Sequence, residues 1–355
     1  MRSILALCLA VLLLCSGCSA FGGGSYFSET PHKPQNNQTS NPHAQAADYK
    51  GIITALEGMA ADGTESGVIL IPDYNLSTIE EDMSKAVNAV LLGDPIAAYA
   101  VEDIQWELGT NAGQNALAIT MTYLHNRTEI RKIVKVTTVE EALEKISTAL
   151  DDGSAGLVLY IEDYHKTDFV QTVANYALVH PQSVMEAPQV TANVYPQWGA
   201  SRVVELKFLY QTPRESLKVM QNQVSPIFAA AKLYVSGDAA QRQKFSQLYS
   251  LLMERYDYTI ETSITPTYSL LCHGVGDSKA FSSVYAAMCR DAGLECQIVS
   301  GTRHGEGWYW VLIQVDENYY HVDLLRSNAT GAFQMLTDGQ MQGYVWNYSA
   351  VPATP

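Results

Sequence analysis

The chain has little charge, and least of the basic kind. Of its 355 residues 17% are charged, with 22 Lys and Arg against 37 Asp and Glu and a formal net charge of −15. No stretch gathers Lys and Arg into a patch, and the long-range field repels phosphate, so nucleic-acid binding is excluded. The acidity itself reports solubility. Cysteine is also scarce: Cys8, Cys15, Cys18, Cys272, Cys289 and Cys296, with no Cys-x-x-Cys pair among the last three. A zinc centre therefore has no support, and neither metal nor cofactor is expected. Cys272, Cys289 and Cys296 allow one disulfide outside the cytoplasm with one thiol left over. Cys289 falls within a predicted helix and reads as a small buried apolar residue.

What the N-terminus does have is a single charge, Arg2, before an unbroken apolar run from Ile4 to Leu14. The run suits a signal peptide and is too short to span a bilayer. It ends in Leu-Cys-Ser-Gly-Cys18, which resembles a bacterial lipobox; Cys15 is an unusual residue at the third position before the cleavage point. The resemblance implies a diacylglycerol on Cys18 of the mature protein, an extracytoplasmic location and stable anchoring to the cell membrane. Ordinary secretory cleavage nearby is the alternative. After the signal peptide, residues 1–18, comes a stretch at 19–47 with Gly22-Gly23-Gly24, three Pro, several Asn and almost no aliphatic residues. It reads as a flexible linker.

The middle of the chain looks duplicated. Gly67-Val68-Ile69-Leu70-Ile71 followed by Asp73-Tyr74 recurs as Gly156-Leu157-Val158-Leu159-Tyr160 followed by Asp163-Tyr164. The alternating segment Ala116 to Tyr123 recurs as Val203 to Tyr210, and Arg127 matches Arg214. The pattern predicts two α+β repeats, residues 48–136 and 137–222, each a helix, a short strand, a second helix and two closing strands. The helices would cover one face of a small, largely antiparallel sheet. Thr138 with Glu141 reads as a capping box. No catalytic constellation stands out here. Asp73, Tyr74, Asp163 and Tyr164, just past strand ends, read as turns with a Tyr packed over them.

The last third, residues 223–355, carries the most informative stretch. Gly274 to Asp323 reads G-V-G-D-S-K-A-F at a helix start, Gly293-Leu294 after the helix, then W-Y-W on a strand and a closing V-D. It resembles the transglutaminase-like superfamily of papain-like cysteine enzymes, whose pattern is G-x-G-D-C-K-D, then Gly-Ile, H-A-W and Asp. The resemblance implies a papain-like α+β domain, so the whole chain is expected to be α+β. It also places the nucleophile position on Ser278, the His position on Trp308 and the Asp position on Asp323. A thiolate nucleophile needs a nearby imidazole, and an indole cannot accept a proton. The triad is therefore degenerate. Ser278 reads as a helix N-cap, an office Asp277 could equally fill, and Trp308 is expected to occupy the imidazole's place against Asp323.

The reading of function is a membrane-anchored envelope lipoprotein with a non-catalytic domain acting as a binding or scaffold module. Trp308, Trp310 and Tyr319 on the predicted hairpin are its candidate binding residues. Cell-wall peptide, a glycan or an envelope protein would be the partner. The alternative is an active acyltransferase, protease or amidohydrolase using Ser278 or Cys272, with His273, His304 or His321 as base. Cys272, His273 and His304 fall in predicted loops and His321 on a strand. A third reading gives the binding to the repeats, with the last domain as scaffold.

Overall fold

The computed structural model describes residues 44–355. The expected signal peptide, the expected lipidation site Cys18 and the linker as far as residue 43 lie outside the described residues. The described chain is mixed α+β, with three four-stranded sheets and one two-stranded pairing.

The first unit begins earlier than the sequence pattern suggests. β1 (Ala44–Gln45) pairs in parallel with β2 (Ser66–Leu70), across α1 (Tyr49–Asp62). Ala46 is buried, so the predicted linker stops short of residue 47. Ile52, Leu56 and Ala60 recur at every fourth position of α1 and face the core, and Asp48 caps the helix by accepting from the Gly51 N–H at 2.8 Å. α2 (Ile79–Gly93) buries Ile79, Met83, Ala86 and Val90 in the same way. α3 (Pro95–Ala100) starts with proline at its first position and Asp94 as cap. β3 (Val101–Asn111) and β4 (Gln114–Tyr123) form a hairpin through Ala112-Gly113, both at positive φ, as a two-residue turn of this hand requires. α4 (Arg127–Ile130) closes the unit, and its sheet runs β1-β2-β4-β3.

The second unit repeats this order. β5 (Val134–Thr138) pairs in parallel with β6 (Gly156–Asp163) across α5 (Val139–Asp151). After α6 (Phe169–Val179), β7 (Gln189–Tyr195) and β8 (Arg202–Leu209) complete a sheet ordered β5-β6-β8-β7. A boundary between residues 136 and 137 therefore cuts through β5, which belongs to the second sheet. The opening strand of both units escapes sequence reading: β1 is two residues long, and Val-Lys-Val-Thr-Thr is half polar. α3 has no helical counterpart at 180–188. The strand-end tyrosines are structural, with the Tyr74 hydroxyl donating to Asp82 at 2.9 Å and the Arg202 guanidinium over the Tyr164 ring.

α7 (Arg214–Tyr234) and α8 (Gln241–Met253) lead into the C-terminal part. α7 begins ten residues before the apolar segment at Val224 that marks it in the sequence. β9 (Asp257–Tyr258) pairs in parallel with β10 (Val275–Gly276). Between them lies α9 (Pro266–His273), in a stretch the sequence presents as a loop; proline opens it and Gly274, at φ 85°, closes it. α10 (Ser278–Asp291) is the central helix. Its face, including Phe281, Val284, Tyr285 and Met288, packs on α7, α8 and α9 and on one face of the sheet β13-β12-β11-β14. That sheet comprises β11 (Cys296–Arg303), β12 (Glu306–Val315), β13 (Asn318–Val322) and β14 (Tyr344–Trp346), with α11 (Leu324–Thr330) between the last two strands. Each fully buried apolar side chain in this core contributes roughly 1.5–3 kcal/mol. The other face carries a smaller core of Val299, Trp310, Leu312, Met341, Tyr344 and Trp346. α10 is tied to the second unit by Ser283, whose hydroxyl donates to the Leu178 carbonyl at 2.5 Å, and by Arg290, which donates to the Val179 carbonyl. These carbonyls end α6 and would otherwise lack partners.

Candidate functional site

Asp277, and not Ser278, caps α10: its carboxylate accepts from the Ala280 N–H at 2.8 Å. Ser278 is the first residue of the helix and is buried. Its hydroxyl oxygen accepts from the backbone N–H of Tyr309 on β12 at 3.3 Å. The N-cap reading of Ser278 is thus corrected; the hydroxyl serves as a tie between helix and strand. Among the described residues no hydrogen bond joins Ser278 to an imidazole.

Asp323 follows β13 and is 1% exposed. Its Oδ1 accepts from the backbone N–H groups of Leu325 and Arg326 at 3.0 and 3.1 Å, capping α11. Its Oδ2 accepts from the Trp308 indole N–H at 2.9 Å and from the Tyr344 hydroxyl at 2.5 Å, with the Arg303 guanidinium at 3.5 Å. The register explains the meeting. Leu312 faces His321 across β12 and β13, so Trp308 stands diagonally across from Asp323. Arg303 and Tyr344 are direct partners on β11 and β14. The guanidinium lies 5.0 Å from the Trp308 ring and 5.7 Å from the Tyr344 ring. Burial, reinforced by the Asp323 charge, drives the Tyr344 phenol well above its ordinary range, so it remains a donor. The carboxylate is not an orphan: every lone-pair direction that matters is occupied, the condition for a buried charge to persist.

Trp308 also reaches toward the start of α10. Tyr258, the register partner of Gly276 two residues before Ser278, places its ring 5.8 Å from that of Trp308. Tyr258 is 45% exposed, Trp308 is half-buried and the Arg303 side chain is partly exposed, so solvent reaches the cluster along this edge.

The other candidates are dispersed. Trp310 is 0% exposed and donates its indole N–H to His321 Nδ1 at 2.9 Å; it is closed to any ligand, which corrects its place among the binding residues. His321 is itself buried, with Nε2 2.9 Å from Asp338 Oδ1, and burial lowers its imidazole below the ordinary value despite Asp338. Both ring nitrogens are engaged, so His321 has none free to serve Ser278 or Cys272. Tyr319 lies opposite Gln314, six residues along β12 from Trp308, or about 20 Å at the usual strand rise. Trp308 and Tyr319 therefore do not share one aromatic platform. Cys272 and His273 sit in the last turn of α9, not in a loop, and burial pushes the Cys272 thiol up, opposite to what a thiolate nucleophile needs. His304, at φ 51°, forms the β11–β12 turn with Gly305 and packs against Gly343. Among the described residues no group of three or more His, Cys, Asp or Glu could hold a metal, and no helix is long and apolar enough to cross a membrane.

Sequence spacing did not point to Arg303, Tyr344, Tyr258 or Asp338. Each reaches the cluster from a strand or turn whose pairing no local pattern reveals.

Residues 229–347 match the family model of the transglutaminase-like superfamily. That span holds α8 to β14, so the C-terminal part of the chain is a transglutaminase-like domain. Three solved structures are similar at 8% identity. One is a TGase, with a TM-score of 0.27, over 48% of this chain and 50% of that one. Another is a candidate cysteine protease from Cytophaga hutchinsonii, at 0.27 over 44% and 70%. The third is a candidate protease from Parabacteroides distasonis, at 0.24 over 72% and 39%. The chain thus spans half the length of the TGase it matches. No curated protein matches the chain by sequence.

Proposed function

We propose that the transglutaminase-like domain is a non-catalytic binding or scaffold module, carried by a lipid-anchored protein of the bacterial cell envelope. One observation carries the non-catalytic reading: Trp308 occupies the base position of the family pattern and hands its N–H to Asp323. Asp323 keeps the role of accepting a ring N–H, but the indole has no basic nitrogen with which to deprotonate a nucleophile. Ser278, a weak nucleophile without such a base, is engaged by a backbone N–H instead. The anchoring rests on the Leu-Cys-Ser-Gly-Cys18 segment.

Wall peptide or glycan is the ligand class, and exposed Tyr258 beside half-buried Trp308 is the surface for it. The full chain, expressed in a bacterium, is expected to incorporate a labelled fatty acid, with the label lost in Cys18→Ala. Mixed with purified cell-wall sacculi, it is expected to co-sediment, and Tyr258→Ala is expected to weaken this several-fold, the effect of one lost stacking ring. Unlabelled protein contradicts the anchor. Sedimentation that is absent, or equal in Tyr258→Ala, contradicts the wall-binding surface.

A further inference from the structure

The helices of the second unit cover one face of its sheet. Against the other face the first unit lays α3 and α4, where Ile96, Ala100 and Ile130 meet Val203 in a small apolar core. Beside that core the two units line an open cleft of about 480 Å³, inside the roughly 300–1,000 Å³ range of small-molecule sites. The wall from the first unit carries Tyr99, His125, Glu129 and Lys132; the floor, on β8, carries Glu205 and Lys207.

Two of these side chains are deeply buried yet face the cavity. Tyr99 is 3% exposed, and its hydroxyl, which is not among the buried polar atoms that lack a partner, keeps its small solvent contact on the cavity side. Burial first, then the Glu205 and Glu129 charges, push its pKa up to about 12, so it keeps a proton to donate. Glu205 is 6% exposed. Burial alone would raise its carboxyl, but hydrogen bonds from Asn193 and Lys207, and the Lys207 charge, hold it below the ordinary value. Asn193 donates to Oε2 at 3.0 Å, and Lys207 Nζ lies 3.0 Å from Oε1. Each oxygen carries two lone pairs, so capacity for a further donor remains. The His125 ring stacks flat on Tyr99, with centroids 4.1 Å apart, and faces Glu129 at 3.9 Å. Two carboxylates stand against two ammonium groups, with both signs lining one open cleft.

We propose that this cleft binds a small zwitterion, an amino acid or short peptide with a free amine and a free carboxylate. Glu205 takes the amine. Lys132, exposed and without an ion-pair partner among the described residues, takes the carboxylate together with the Tyr99 hydroxyl. A cation alone would meet the two lysines, and an anion alone would meet the two carboxylates. The charge pattern therefore selects a ligand that carries both.

Isothermal titration calorimetry of the full chain tests this. The probes are L-alanine, L-Ala-L-Ala and L-Ala-L-Ala-L-Ala, each beside its N-acetylated and C-amidated forms. At least one free-ended probe is expected to bind at millimolar concentration or below, and blocking either end is expected to weaken binding about tenfold or more, the effect of losing one charged hydrogen bond. Tyr99→Phe and Glu205→Gln are expected to weaken it by a similar factor. Lys132→Ala, a surface change that leaves the fold intact, is expected to weaken the free probe and to leave the C-amidated one unaffected. Absence of binding across the series overturns the proposal, as do blocked probes that bind equally well or an unchanged affinity in both Tyr99→Phe and Lys132→Ala.

Discussion

The indole N–H of Trp308 points at Oδ2 of Asp323 from 2.9 Å. An imidazole N–H in the same place would make the same bond and would still present a second nitrogen to a nucleophile; the indole has none. The indole thus makes the orienting bond and offers no nitrogen of its own for proton transfer.

Restoring the missing groups should restore thiol activation. In Ser278→Cys alone, the new thiol at the start of α10 lacks a basic partner. Adding Trp308→His supplies one beside Asp323. The pH dependence of alkylation at residue 278 should shift down by at least about one pH unit in the double variant relative to the single one, in the direction of His-paired thiolates. Overlapping curves would show that Trp308 does not occupy the base position.

Asp323 should be among the most stability-critical residues of the domain. Asp323→Ala removes a helix cap and leaves the Arg303 guanidinium, the Tyr344 hydroxyl and the Trp308 N–H without their acceptor. Losing one partner of a buried pair costs about 3–5 kcal/mol. Urea denaturation should register a loss of that order, and a loss under ~1 kcal/mol would mean that the cluster behaves like a surface ion pair.

Stability should fall in acid through histidine. Burial, against Asp338, holds His321 below 6.5, and burial with the Arg290 charge does the same to His180. The unfolded chain therefore binds these protons at higher pH than the folded one. Their contribution is complete above 6.5 and is lost as pH falls from there toward the depressed folded values. The urea midpoint should decline over that interval, and His321→Gln should flatten the decline while lowering the midpoint at neutral pH. An unchanged slope in the variant would remove His321 from the account.

The contact between α10 and α6 should matter to the whole described chain. Replacing both Ser283 and Arg290 by Ala strips the Leu178 and Val179 carbonyls of their donors. Two buried acceptors left unpaired cost about 2–6 kcal/mol together. Calorimetry should show a lower melting temperature in the double variant, and an unaltered one would mean that water replaces both donors.

Much of this was legible from residues. The spacing of Ile52, Leu56 and Met59, and of Phe281, Val284 and Met288, marked their helices because burial on one face demands that period, although on the first helix it is Ala60, not Met59, that is fully buried. Alternation along β12 and the fifteen-residue separation of Trp308 and Asp323 sufficed to bring the indole to the carboxylate. What escaped depended on partners distant in sequence. Trp310 looked like a stacking surface because alternation names a face without saying what covers it; residues 336–346 do. Ser278 looked like a cap because Asp277 and Ser278 are chemically equal candidates, and only the meeting of α10 with β12 separates them. α9 looked like a loop because eight residues opened by proline and closed by glycine give too short a period to read.

The measurement that bears most directly on the proposed absence of catalysis is turnover. The full chain should be assayed for acyl transfer and amide hydrolysis on glutamine peptides and on wall-type peptides, beside Ser278→Ala and Cys272→Ala. The account predicts the same background-level signal in all three. Turnover by the unaltered protein that disappears in either variant would contradict it and identify the nucleophile.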